Sequence, residues 1–279
     1  MLLITGANGQ LGRSLKDILG DNALYTDAAE LDITDEQAVL EFGDGHDFSA
    51  IINCAAYTNV DKAEQEAELA RRINAAGPAN LAKLAAKKEV PLLHISTDYV
   101  FDGSANAPIS ESAATGPLGV YGRTKLEGEH NVLSYAGTVV ILRTAWLYSE
   151  YGKNFLKTML ALGKEKTEIR VVADQFGTPT YAAHLAQAAL RILPAVKPGS
   201  KEIYHFTDEG TATWYDFAHY ILTQAHAACR VRPILTLDYP TPAKRPAFSV
   251  LDKNKIKRDF GLNLPHWTKG VEECLKKLS

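Results

Sequence analysis

The sequence predicts an α/β protein, a doubly wound parallel sheet of the Rossmann type with a smaller C-terminal substrate-binding lobe. Three observations carry that expectation. Short apolar runs alternate with helical patterns through the first half of the chain, which is how a parallel sheet covered on both faces reads. A glycine-rich turn, TGANGQLGRS, follows the first run directly. After about Trp146 the alternation loosens as aromatic, Pro and Gly residues become denser, which suits a second lobe.

In order, the strands are expected at 2–5 (LLIT), 23–26 (ALYT), 50–54 (AIINC), 91–96 (PLLHIS) and 138–144 (TVVILRT). Helical spacing is expected from Gln10 to Leu19, after Asp35, in two stretches between Lys62 and Lys88, and from about Tyr121 to Leu133. Further on come a helix at 154–162, a strand at 168–172 (EIRVV), and helices at 184–193, 214–225 and 267–277. The dinucleotide-binding unit is therefore placed at 1–148 plus part of 165–205, and the interleaved lobe at 149–164 and about 206–279. PAVKPGS, at 194–200, is the linker-like stretch.

Composition narrows the class of function. With 279 residues, 46% hydrophobic, 23% charged and a net charge of −3, the chain can bury a large core and offers no field suited to nucleic acid. No apolar run approaches the roughly 20 residues that span a bilayer, and Met1 leads straight into LLIT, so a cytoplasmic protein without membrane partners is expected. Cys54, Cys229 and Cys274 show no paired spacing and read as buried thiols. His219 and His226 read as helix positions, and no ligand cluster appears among the histidines, so no metal is expected.

In the GxxGxxG turn, Gly6 permits the tight bend, Gly9 lets a pyrophosphate approach the backbone, and Gly12 lets helix and strand pack closely. Asn8, Gln10 and Leu11 belong to the same cradle. The plainer alternative is a glycine turn opening an ordinary helix. Asp27 lies about 20 residues beyond the loop, where a carboxylate receives a ribose 2′-hydroxyl and favours NADH. Arg13 could instead meet the 2′-phosphate of NADPH, so both cofactors stay open. Asp32 and Ile33 offer a seat for adenine, and Ala55, Ala56 and Tyr57 would run beneath the nicotinamide-side phosphates and ribose.

Tyr121 and Lys125 are four residues apart and share one helix face. An ammonium beside a phenol lowers its pKa from about 10, which equips Tyr121 to protonate a carbonyl oxygen as hydride arrives at carbon. Thr97, at the end of the preceding strand, would hold the same oxygen. A YxxxK spacing alone more often marks a solvated helix face, but here it follows the glycine turn and ISTDYVFDG.

With TGANGQLG, DITD, INCAAYTNVDKAE, HISTDYVFDG, YGRTKLEGE, ILRTAWLYS, DQFGTPT and RPAFSVLD in view, the chain resembles the extended short-chain dehydrogenase/reductases along essentially its whole length. Within them it is similar to the dTDP-4-dehydrorhamnose reductase family. The resemblance implies NADPH- or NADH-dependent reduction of the 4-keto group of dTDP-4-dehydro-β-L-rhamnose, with Thr97, Tyr121 and Lys125 as the catalytic set. It implies Asp98, Tyr99 and Val100 beside the sugar, Trp146 packed on substrate, and Asn154 and Arg245 toward the nucleotide or its phosphates. Gln175 and Thr178 are weaker candidates, since a structural turn explains QFGTPT equally well.

Some members of that family dimerise around magnesium through an acidic residue at the position held here by Ser14. A hydroxyl is a poor ligand for a hard cation, so monomer and homodimer both remain open. A 4,6-dehydratase would need a second acid after Asp98, where Tyr99 stands. An epimerase of the same superfamily, or a regulatory subunit like that of methionine adenosyltransferase, stays as an alternative.

Overall fold

The computed structural model describes residues 1–278. Its centre is a six-stranded, wholly parallel sheet made of β1 (Leu2–Thr5), β2 (Ala23–Thr26), β3 (Ala50–Asn53), β4 (Leu92–Thr97), β5 (Val139–Thr144) and an edge strand, Lys201–His205. Beginning at that edge strand the order runs β5, β4, β3, β1, β2. After β2 the chain crosses back over β1 to build β3, and this reversal opens a crevice at the carboxyl ends of β1 and β3.

Side chains alternate between the two faces, as strand geometry requires. Ile4, Ile52, Leu93 and Leu142 pack with helices Gln10–Leu19 and Ala182–Ile192. Leu3, Ile51, Leu92 and Ile141 face the other way, onto helices Glu36–Gly45 and Gly77–Lys87. Both faces are covered, which is why these strands read as unbroken apolar runs rather than as alternation.

A third core lies outside the sheet, among Tyr148, Leu156, Ile169, Tyr181, Phe217, Val231 and Trp267. Helices Phe155–Glu165, Trp214–Gln224 and Trp267–Leu278 surround it. The expected strand Glu168–Val172 forms, and it pairs with Arg230–Ile234 in this lobe. Arg230–Ile234, the edge strand Lys201–His205 and helix Asn254–Phe260 escape the sequence reading. RVRPI carries two arginines and a proline, and KEIYH is a half-exposed edge with charged residues at its start, so neither has the apolar run of an interior strand.

Sheet and lobe are clasped by His184, which is nearly buried on helix Ala182–Ile192. Its Nδ1 is 2.8 Å from Asp208 Oδ1 and its Nε2 is 2.9 Å from Glu273 Oε2, on the last helix.

Candidate active site

The glycine turn sits at the crevice. Gly6 has φ +67°, and a Cβ there would fall 2.5 Å from the Ala55 amide nitrogen, so only glycine lets β1 and the loop after β3 approach this closely. A Cβ on Gly12 would lie 2.5 Å from the Gly6 carbonyl oxygen. Gly9 is different, because its nearest neighbour to a Cβ is 3.2 Å away. That neighbour, the Gly6 carbonyl oxygen, is the one atom within 4 Å, and the helix Gly9 begins has no side-chain cap to occupy its first amides. An uncapped helix start beneath a bare glycine fits the pyrophosphate of a dinucleotide.

Asn53, buried at the end of β3, ties this floor together. Its Oδ1 accepts from Thr5 Oγ1 (2.8 Å) and the Ala55 amide (3.0 Å), and its Nδ2 meets His94 Nδ1 at 3.0 Å. Sequence reasoning passed over it, since an asparagine in an apolar run gives no periodic signal.

From the turn a cleft of about 860 Å³ runs past the ends of β3, β4 and β5 into the lobe. It brings together Gly6, Gly9, Gln10, Leu11, Gly12, Asp27, Asp32, Ile33, Ala55 and Ala56 with Thr97, Asp98, Tyr99, Tyr121, Lys125, Trp146 and Asn154. Asn8 and Arg13 line a neighbouring cavity of about 450 Å³, shared with Asp27. The Asp27 carboxylate accepts from the Asn8 amide (2.9 Å) and the Ala28 amide (2.8 Å), while the Arg13 guanidinium lies over the Tyr151 ring at 5.6 Å.

Three expected residues stand elsewhere. Tyr57 is absent from the cleft wall, because its hydroxyl donates to Glu66 and its amide donates to Asn74 Oδ1. Val100 is fully buried with Phe101, Ile109 and Leu251, so it is core rather than wall. Arg245 lies outside the wall and pairs with Asp61, as Nη2 is 2.8 Å from Oδ2. Asn154 does reach the cleft, but its amide is spent. Its Oδ1 caps helix Phe155–Glu165, and its Nδ2 donates to Gln10 Oε1 (2.9 Å) and the Ser149 carbonyl (2.7 Å). Gln175 and Thr178 are likewise engaged, with Thr236 and the Gly210 carbonyl.

Helix Val120–Tyr135 positions the tyrosine and lysine against β4. The Tyr121 hydroxyl stands by Thr97, whose side chain acts to lower its pKa, and its ring meets Tyr99 edge-on at 5.4 Å. Lys125 Nζ donates to the Ile95 carbonyl at 2.6 Å. One turn on, Glu129 accepts from Ser96 and forms a buried pair with Arg143 at 2.7 Å, fixing the helix to β4 and β5.

The electrostatics differ from the sequence expectation. Burial pushes Tyr121 up to about 12, against the opposing effect of Thr97, so the phenol keeps its proton at neutral pH. Burial brings Lys125 down to about 8, with Glu129 and Cys54 opposing. The lysine does not dominate the phenol because its ammonium is turned to the Ile95 carbonyl and desolvation outweighs charge. Burial also lifts Asp98 to about 6 and the Cys54 thiol to about 12.

Over the lobe end, Trp146 stacks on Trp214 with ring centroids 3.6 Å apart. Trp146 has φ +48°, an uncommon conformation for a bulky residue, and its ring fills the space that a side chain on Gly177 would take. Trp214 lines the cleft and was missed from the sequence; its only signal is the aromatic cluster TATWYDF.

Among the described residues no group of His, Cys, Asp and Glu is arranged to hold a metal ion. Ser14 is buried and its hydroxyl donates to the Gln10 carbonyl at 3.1 Å. Among the described residues no helix is long and apolar enough to cross a membrane.

The sheet order, the glycine turn and the Thr–Tyr–Lys set at the crevice define a class, the Rossmann-type dinucleotide-binding proteins. Within that class the chain belongs to the family described as the RmlD substrate binding domain, whose model matches residues 1–279. A dTDP-4-dehydrorhamnose reductase from Aggregatibacter actinomycetemcomitans is 44% identical, over 97% of each chain. A crystal structure of a dTDP-4-dehydrorhamnose reductase from Clostridium acetobutylicum superposes with a TM-score of 0.94 at 43% identity, covering 99% of both chains. Another from Bacillus anthracis, in complex with NADP, gives a TM-score of 0.95 at 38% identity, covering 99% of this chain and 98% of that one.

Proposed function

We propose that the protein reduces the 4-keto group of dTDP-4-dehydro-β-L-rhamnose to the alcohol, using NADPH or NADH. The observation that carries this reading is the Tyr121–Thr97 hydroxyl pair, held at the end of β4 and facing a cleft that begins on the glycine turn. Full-length relatives named for this reaction support it.

The glycine turn and the uncapped helix start would hold the pyrophosphate, with Asp27, Asp32 and Ile33 toward the adenosine and Ala55 and Ala56 beneath the nicotinamide side. When bound, the reduced nicotinamide supplies hydride to the carbonyl carbon. Tyr121 Oη gives its proton to the carbonyl oxygen. A phenol raised to about 12 still does this downhill, since an alkoxide is a stronger base than a phenolate. Thr97 orients the same oxygen. Lys125, charged below about pH 8, stabilises the phenolate left on Tyr121. Asp98 and Tyr99 stand beside the sugar, and the Trp146–Trp214 stack walls the far end and excludes water. Asn154 acts indirectly, by binding Gln10 of the cofactor loop to the start of the lobe.

The test is stoichiometric. Purified protein given the keto-sugar should oxidise one NAD(P)H per sugar consumed. An epimerase would show no net oxidation, and a regulatory subunit would show no turnover.

A further inference from the structure

Arg245 lies in a loop pinned on both sides. The Phe176 amide donates to the Ala247 carbonyl, the Ser249 amide donates back to Phe176 (each 2.8 Å), and the bare Gly103 admits Pro246. From this loop, Arg245 Nη1 donates to Asp61 Oδ1 (3.2 Å), the Ala243 carbonyl (3.0 Å) and Thr241, and Nη2 donates to Asp61 Oδ2 (2.8 Å). The Ala243 amide also donates to Asp61 (3.2 Å). Asp61 sits on the short helix Val60–Ala63, directly after cleft residues Thr58 and Val60. Tyr99, the neighbour of Tyr121, is close enough to feel both charges.

A guanidinium offers two bidentate edges, Nη1/Nη2 and Nε/Nη2. Asp61 takes the first. Among the described residues, Nε has no acceptor and Nη2 has only one for its two hydrogens, and the side chain remains 23% exposed. The paired carboxylate stays ionised, because the hydrogen bond from Arg245 holds Asp61 below the usual range.

We propose that Asp61 is a positioning residue, fixing one edge of the Arg245 guanidinium so that the other edge receives the diphosphate of the nucleotide-sugar. The inference rests on the proposed function for the identity of that anion. A fork held at one edge loses little rotamer freedom on binding, which is how preorganisation gains affinity. Asp61 was not among the sequence candidates, because a surface aspartate in NVDKAE reads as a solvated helix residue.

The experiment titrates the full chain with thymidine diphosphate by calorimetry, uses thymidine as the control lacking phosphate, and measures steady-state kinetics with the keto-sugar alongside. In Asp61→Asn the Kd for thymidine diphosphate and the KM for the sugar nucleotide should each rise about tenfold, as the loss of one charge-assisted contact would produce. Thymidine affinity, NADPH affinity and kcat should stay within about twofold, and unchanged NADPH affinity also shows that the variant is folded. Asp61→Glu should recover part of the loss. In an Arg245→Met background Asp61→Asn should add nothing to the loss of diphosphate binding, because the effect of Asp61 on the anion passes through the guanidinium. Unchanged or tighter diphosphate binding in Asp61→Asn would overturn the proposal, as would full additivity with Arg245→Met. Wild-type protein that binds thymidine diphosphate without turning over the sugar would sink the reductase reading and leave the role of Asp61 standing.

Discussion

Around Gly9 the wall of the cleft is backbone, whereas around Tyr121 it is side chain. At the first end, what matters is what the residues lack, since a Cβ on Gly6 or Gly12 would strike backbone and one on Gly9 would press on the Gly6 carbonyl oxygen. At the second end, side chains from several segments line the cleft: Thr97 at the end of β4 and Asp98 just after it, Tyr121 and Lys125 on a helix, Trp146 after β5 and Trp214 in the lobe. The first end would recognise a shape shared by every dinucleotide. The second holds buried groups moved from their ordinary ionisation, Tyr121 and Asp98 upward and Lys125 downward. Binding and chemistry are thus separable along the cleft, and substitutions at the two ends should fail in different ways.

The largest expected effect lies at the side-chain end. Tyr121→Phe removes the proton and little else, so kcat should fall by about 10²–10⁴-fold while cofactor affinity is kept. A simultaneous loss of NADPH binding, measured by fluorescence titration, would break the separation of roles. Gly6→Ala attacks the other end. With φ +67° and a Cβ 2.5 Å from the Ala55 amide, it should cost about 1–3 kcal/mol of stability in strain and remove dinucleotide binding. A variant that melts like wild type and binds NADPH normally would contradict the packing described.

The same division decides what was legible in the sequence. The glycine turn, the five apolar strands and the YxxxK helix could be read because each is a local pattern whose cause, a tight turn or a two-faced strand, acts within a few residues. Thr97 was reachable because it ends a strand just before that helix. Asn53, Trp214 and Asp61 were not, because their partners lie on other segments and nothing in the local spacing points to them. Tyr57 and Val100 stand off the cleft wall for the converse reason. They lie within motif stretches, yet one turns to Glu66 and the other into the core. The expected lowering of the Tyr121 pKa failed because spacing shows that a lysine is near and is silent on desolvation.

A milder prediction concerns pH. Lys125 is charged below about 8 and loses its proton above it, so kcat/KM for reduction should fall about tenfold per unit as pH rises beyond that value. A profile flat to pH 10 would show that the ammonium is not needed. The smallest expected effect is at His184, far from the chemistry. Burial opposes its charge, but Asp208 and Glu273 prevail and its pKa is raised. Its charged form therefore contributes stability that is fully present below the unfolded value of about 6.5 and is lost as pH rises through the higher folded value. His184→Gln should cost about 1–3 kcal/mol, more at pH 6 than at pH 9, in denaturant melts. A loss that grew with pH would reverse the assignment.

The central claim is that hydride reaches the sugar carbonyl beside Tyr121. Transfer from NADPH carrying deuterium at both positions of nicotinamide C4 tests it most directly, with the product read by NMR. Deuterium at sugar C4, one per molecule of product and nearly absent with Tyr121→Phe, is the expected result. Deuterium at any other carbon, or product formed at the wild-type rate by Tyr121→Phe, would contradict it.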